Sequence, residues 1–189
     1  MHGPPTLILD GIWGSHGRWA ALANRLTRGV GPARVCRYHN SGLKRIGELG
    51  EKLAGELEEI GGPFHIVAYS MGGLVVREAL RLRPGLPLRR AAFLHCPHAG
   101  SWAALFLPLP ACRDMLPGSA FLRRLDAAEW THPTLATWCP WDLMVVPGHS
   151  AAWKGATRIE RIGMPAHAWP VFSPRIHRMV AEFLACDAT

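Results

Sequence analysis

The apolar positions of the chain follow two alternating rhythms. Short, nearly continuous apolar runs at 6–10 (TLILD), 33–38, 64–69 (FHIVAY), 91–95, 134–139 and 157–162 predict six strands. Segments at helical spacing lie between them. Residues 17–26 carry Trp19, Leu22, Ala23 and Leu26. Residues 43–60 place Ile46, Leu49, Leu53, Leu57 and Ile60 on one stripe, which Gly61-Gly62-Pro63 ends. A third helix is predicted over 72–82, stopping before Pro84, and a closing helix over 173–185, with Ser173 as N-cap and Pro174 at its first position. Strands that are apolar along their whole length are buried on both faces. The alternation therefore predicts an α/β fold: a doubly wound, mostly parallel six-stranded sheet with helices on both faces.

Residues 101–133 break this rhythm. They hold Trp102, Leu105, Phe106, Leu107, Leu109, Met115, Leu116, Phe121 and Leu122 together with four prolines, and they are too long for a plain connection. The segment reads either as an irregular packed excursion or as a cap that builds a substrate pocket. With no repeat and no linker, 1–189 is expected to form one domain, with 101–133 as the cap-like excursion.

Composition narrows the partners. Apolar residues make up 49% and charged residues 19%, a globular balance that argues against disorder. The net charge of +7 comes from 21 Lys+Arg against 14 Asp+Glu, and all the cations but Lys44, Lys52 and Lys154 are arginine. They are scattered rather than laid out as a basic stripe interleaved with aromatics, so no nucleic-acid partner is expected. No apolar run approaches the roughly 20 residues of a membrane span, so integral membrane association is not expected either. The five cysteines, Cys36, Cys96, Cys112, Cys139 and Cys186, are odd in number, widely spaced and without a CxxC pair. Idle thiols in a reducing compartment, and no recognisable signal segment at the start, point to the cytoplasm. His95, Cys96, His98 and Cys112 match no metal-ligand spacing, so neither metal nor cofactor is expected.

The candidate chemistry centres on FHIVAYSMGGL, where a strand runs into Ala68-Tyr69-Ser70-Met71-Gly72 and a helix follows at once. This is the setting of a nucleophile elbow of the G-x-S-x-G type, with Ala68 in place of the first glycine. The bland alternative is a serine that caps a helix. A serine nucleophile needs a base, and the base an orienting acid, in the chain order Ser, acid, His. Asp142 lies just past the fifth strand. Asp114, Asp126 and Glu129 fall in the excursion, and Glu160 falls in a strand. Among ten histidines, His167 lies in the loop between the last strand and the closing helix, from which it can reach over the strand ends; His149 is the second choice. Two backbone N–H groups, of Ile12 in the loop after the first strand and of Met71, are the expected oxyanion hole. Trp13, Trp102, Leu105, Phe106 and Trp169 are the expected pocket wall.

LILDGIWGS, VAYSMGGL, CPHAGS, MLPGSAFL, WDLMVVP and PAHAWPVFSPRI, in this order, resemble the small lipases and esterases of the α/β-hydrolase superfamily, over nearly the whole chain. The chain departs from that pattern in having Asp10-Gly11 where His-Gly is usual, and His95-Cys96-Pro97-His98 where Gly-Thr-Pro-His is usual. The resemblance implies a minimal hydrolase core that lacks the first two strands of larger members. It also implies hydrolysis of small-molecule or lipid esters through an acyl-enzyme. The rival readings are a non-catalytic binding protein on the same scaffold, or an acyltransferase, thioesterase or amidase with the same triad.

Overall fold

The computed structural model describes residues 3–164 and 166–186. Its strands are β1 (Thr6–Leu9), β2 (Ala33–Val35), β3 (Phe64–Tyr69), β4 (Leu88–Leu94), β5 (Thr134–Trp138) and β6 (Arg158–Arg161). They form one sheet in the order β2-β1-β3-β4-β5-β6, every neighbouring pair parallel. The main covering helices are α1 (Ala20–Gly29), α2 (Ile46–Glu58), α3 (Met71–Leu82) and, at the end of the chain, α7 (Pro174–Ala185).

Period-two alternation along the strands sorts the core into two layers. Leu7, Leu9, Ile66, Ala68 and Phe93 pack with Leu49, Leu53 and Leu57 of α2 and Leu74 and Val75 of α3. Ile8, Val67, Tyr69, Ala92 and Leu94 pack with Leu22 and Leu26 of α1 and Ile176 and Val180 of α7. Each such side chain is fully or almost fully buried, and each Leu, Ile, Val or Phe among them gains about 1.5–3 kcal/mol by leaving water.

The element boundaries shift where side chains are needed elsewhere. The second strand stops at Val35 rather than running to residue 38, because Tyr38 and Asn40 turn their side chains back onto the loop after β1. The second helix starts at Ile46 rather than 43, where the Asp114 carboxylate accepts the Ile46 N–H at 2.9 Å and caps it from the excursion. The fourth strand begins earlier, at Leu88, and ends at Leu94, because His95 takes a left-handed φ of 49°.

The segment 101–133 contains a 3-10 turn (Trp102–Phe106) and two short helices, α4 (Pro110–Asp114) and α5 (Ala120–Asp126). Cys112, Met115, Phe121, Leu122 and Leu125 are buried in the same layer as α2 and α3. Much of the excursion is thus part of the core, and its 3-10 turn stands at the mouth of the site.

The sheet order reverses at β1: the chain steps to β2 on one side and returns to β3 on the other. The crevice beyond the ends of β1 and β3 is where ligands collect in open parallel sheets. Ser70 follows β3 directly, and residues 11–14 follow β1.

Candidate active site

Ser70 sits between the last residue of β3 and the first of α3 at φ 52°, ψ −127°. Only tight passage of strand and helix holds a side-chain-bearing residue there. A Cβ on Gly72 would lie 2.7 Å from the Asp10 carbonyl oxygen, and one on Gly11 would lie 2.8 Å from the Ser70 Cβ. Both glycines let β1 and its loop press against the turn. The Ser70 N–H donates to the Leu94 carbonyl at 3.0 Å, which anchors the turn to β4.

The structure brings Ser70, Asp142 and His167 together from positions up to 97 residues apart. His167 Nε2 is 3.0 Å from Ser70 Oγ, and His167 Nδ1 is 2.7 Å from Asp142 Oδ2. With a carboxylate on one side, Nδ1 is the donor, and the Nε2 lone pair faces the hydroxyl. His167 comes from the turn ahead of a short helix, α6 (Trp169–Phe172), its ring 5.0 Å from that of Tyr69. Pro165, in the same predicted loop, lies outside the described residues. Asp142 Oδ1 accepts the N–H groups of Met144 and Val145 at 2.8 and 3.0 Å. Burial opposes the Asp142 charge, but the hydrogen bond from His167, the close approach of His95 and the Met144 N–H outweigh it. The carboxyl is held well below the usual carboxylate range.

Three of the other candidate acids are paired elsewhere. Asp114 caps α2 and pairs with Arg45, Asp126 pairs with Arg77, and Glu160 pairs with Arg158. His149 is exposed on a different cavity. His177 holds the carbonyls of Pro170 and Val171.

The Ile12 and Met71 N–H groups make no hydrogen bond among the described residues. Their neighbours are used: the Gly11 N–H by the Asp10 carboxylate at 2.7 Å, and the Trp13 N–H by the Asn40 carbonyl at 2.8 Å. Met71 opens α3, where unpaired N–H groups gather partial positive charge. The loop carrying Ile12 is braced from several sides. Asn40 donates to the carbonyls of Gly11 and Gly14 at 2.9 Å each, Tyr38 donates to the Asp10 carbonyl, and Arg18 Nε holds Asp10 Oδ2 at 2.7 Å. Asp10 therefore stiffens the loop through Arg18 and Gly11. Sequence reasoning did not find these bracing residues, since each acts through a loop 26 to 29 residues away or through a non-adjacent turn.

It also passed over His95 as a partner of Asp142. This histidine is fully buried, with Nδ1 3.4 Å from Asp142 Oδ2 and no hydrogen bond at either ring nitrogen. The donor atoms of His95, Asp142 and His167 all lie within 4.8 Å of one another, the one group among the described residues with the composition of a metal site. Its tightest contact is the His167–Asp142 hydrogen bond.

The pocket at Ser70 has a volume of about 260 Å3. Trp13 lines it with Ile12, Ala103, Ala104, Leu107, Met115 and Met144. The other four expected wall residues, Trp102, Leu105, Phe106 and Trp169, are not among the residues that line it. The 3-10 turn repeats every three residues, so Ser101, Ala104 and Leu107 share one face, toward the pocket and the core. Leu105 and Phe106 are thereby turned to solvent, Phe106 86% exposed. Trp102 faces a second cavity, and Trp169 packs against the layer of α1 and α7.

No protein-family model and no curated protein matches the chain. Its likeness to solved structures is extensive. Lipase B of Aspergillus fumigatus superposes with a TM-score of 0.82 at 15% identity, over 98% of this chain and 53% of that one. The mature lipase BlEst2 of Bacillus licheniformis gives 0.70 at 20% identity, over 93% and 92% of the two chains. The monoacylglycerol lipase of Paleococcus ferrophilus gives 0.68 at 15%, over 98% and 96%. The chain has the α/β-hydrolase fold. It spans about half the length of the Aspergillus lipase and of the propeptide form of BlEst2. Within the α/β-hydrolase fold, the Ser70 crevice lies at the carboxyl ends of the strands, on loops that the sheet holds rigidly.

Proposed function

We propose that the chain is a serine hydrolase that cleaves carboxylic esters with Ser70 as nucleophile, His167 as general base and acid, and Asp142 as orienting acid. The observation that carries this reading is the continuous Ser70–His167–Asp142 relay at 3.0 and 2.7 Å, on a serine held at positive φ. In that reading Nε2 takes the Ser70 proton as Oγ attacks the ester carbonyl. The oxyanion is received by the Ile12 and Met71 N–H groups, and the alkoxide leaves with the proton from His167. Water then repeats the sequence on the acyl-enzyme and releases the acid. The ionised Asp142 keeps the proton of the resting imidazole on Nδ1 and stabilises the imidazolium.

The substrate reading rests on the pocket and its rim. A volume of about 260 Å3 with mostly apolar walls suits a short acyl group. Trp13, Leu43, Phe106, Trp141, Leu143 and Met164 are large, apolar and exposed, and all stand on segments that leave the carboxyl ends of strands. Such a rim favours an apolar ester over a strongly polar one. The lipase names of the superposed structures support the same class.

The test is labelling with a fluorophosphonate probe together with hydrolysis of p-nitrophenyl acetate, butyrate and octanoate. The native chain is expected to take up the probe and to favour the shorter esters. Ser70→Ala should abolish labelling and lower kcat by on the order of 10⁶ with the melting temperature nearly unchanged. Hydrolysis by Ser70→Ala within tenfold of the native rate would overturn the assignment.

A further inference from the structure

A second cavity, of about 840 Å3, is larger than the pocket at Ser70 and lies on the other side of the turn that begins at Ser101. Its walls come from α3 (Arg77), the segment after β4 (His98, Trp102), the end of the excursion (Asp126, Trp130) and the segment after β5 (Trp153, Lys154). Ser101 and Ala103 face the Ser70 pocket while Trp102 between them faces this one, so a single stretch of backbone separates the two.

Arg77 is the notable member. A guanidinium is costly to bury, yet Arg77 is only 4% exposed. Its guanidinium carbon lies 4.6 Å from the Trp153 ring centroid. It donates to Asp126 at 2.9 Å and, at 3.5 Å, to the His98 carbonyl. A guanidinium has five N–H donors, so three have no protein acceptor among the described residues. Asp126 is 58% exposed at its side chain and so satisfies only the outer edge of the group. The His98 imidazole stacks on Trp153 at 4.7 Å and is kept neutral, because burial and then the nearby Arg77 charge disfavour its protonation. Two cations, Arg77 and Lys154, thus face one carboxylate, within walls that carry Trp102, Trp130 and Trp153.

From this cavity, its under-used buried guanidinium and its three indoles, we infer a binding site for a planar aromatic carboxylate. The guanidinium fork matches a carboxylate in geometry and charge, and Lys154 adds a second positive group at the rim. The exposed Trp102 indole, with the uncovered edges of Trp130 and Trp153, takes the aromatic ring by offset or edge contact. A neutral aromatic would leave the Arg77 donors unmatched, and a small inorganic anion would leave the indole faces wet.

The site does not depend on the chemistry of Ser70, so it is tested by binding alone. 1-Naphthoate titrated into the whole chain, followed by calorimetry and tryptophan fluorescence, is expected to saturate one site and quench the indoles. 1-Naphthylmethanol, with the same ring and no charge, should bind at least about tenfold more weakly, as the loss of a charge-assisted hydrogen bond predicts. Trp102→Ala and Arg77→Gln should each weaken naphthoate by about tenfold or more, while Leu107→Ala, on the Ser70 side of the turn, should not. If Arg77→Gln does not fold, Trp102→Ala and Lys154→Ala carry the comparison, since Trp102 is 52% exposed and Lys154 lies at the surface. The inference is overturned by the absence of saturable binding at concentrations on the order of millimolar. It is equally overturned by an affinity indifferent to Trp102, Arg77 and Lys154, or by one lost in Leu107→Ala.

Discussion

Ser70 holds a backbone conformation that side chains rarely adopt, at a cost of about 1–3 kcal/mol. Packing over-determines it: Gly11 and Gly72 permit the close approach, and the Leu94 carbonyl holds the N–H. Ser70→Gly should therefore raise the melting temperature by a few degrees while ester hydrolysis is lost, and Ser70→Ala, which keeps the strain, should leave it nearly unchanged. A thermal melt of the two variants separates strain from chemistry. His167→Ala should cost as much activity as the loss of Ser70, and Asp142→Asn less, on the order of 10⁴. His95 lies 3.4 Å from the Asp142 carboxylate and does not line the pocket, so a contribution from it to catalysis would come through Asp142. His95→Phe is expected to lower kcat by roughly tenfold with KM unchanged. A raised KM at constant kcat would instead show that His95 shapes the pocket.

At the scale of elements, the 3-10 turn Trp102–Phe106 decides which apolar residues meet substrate. Its three-residue period sends Ala104 and Leu107 inward and Leu105 and Phe106 outward. Phe106→Ala is expected to leave kcat/KM for acetate and butyrate esters within about twofold, because the side chain is solvated. Met115, at the end of α4, lines the pocket from the buried side. Met115→Ala should deepen the pocket and move the preferred acyl chain longer, each added methylene gaining about 0.8 kcal/mol until the space is filled. It should also cost about 2–5 kcal/mol of stability, because Met115 belongs to the α2–α3 layer. Measuring kcat/KM across the ester series beside a melt reads both effects. An unchanged chain preference would remove Met115 from the acyl site.

For the whole molecule, the fold holds several imidazoles in neutral form by burial or partial burial. Burial pulls His65 down to about 4, with the Arg90 and Arg89 charges adding to it, and burial likewise lowers His98, His132 and His177. The unfolded chain protonates these groups near 6.5, whereas the folded chain resists until lower pH. The unfolded state then binds more protons, so stability is lost as pH falls below about 6.5, and the His65 contribution levels off near 4. The melting temperature should fall steadily across that window, and His65→Gln should flatten part of the slope. A melting temperature constant from pH 7 to 4 would contradict the neutral burial of these groups. None of the described helices is long and apolar enough to cross a membrane.

The six strands, the four main helices and the likeness to a hydrolase core were legible in the chain alone, because apolar period and glycine–proline punctuation are local properties. Ser70, Asp142 and His167, the residues proposed for the chemistry, each stand just past a strand, at the one edge a parallel sheet offers for a site, and that placement could be read from the chain alone. What stayed hidden depends on contacts across the fold. Arg18, Tyr38 and Asn40 brace the loop after β1 only because that loop, the turn before α1 and the end of β2 converge in space. The outward turn of Leu105 and Phe106 follows from a 3-10 repeat where an apolar run alone suggests a pocket wall. The approach of His95 to Asp142 needs a left-handed residue at the end of β4. Apolar period determined which segments form the sheet and its covering helices, whereas the packing of those segments against one another decided which side chains face Ser70, since facing is a property of pairs of segments rather than of any one of them.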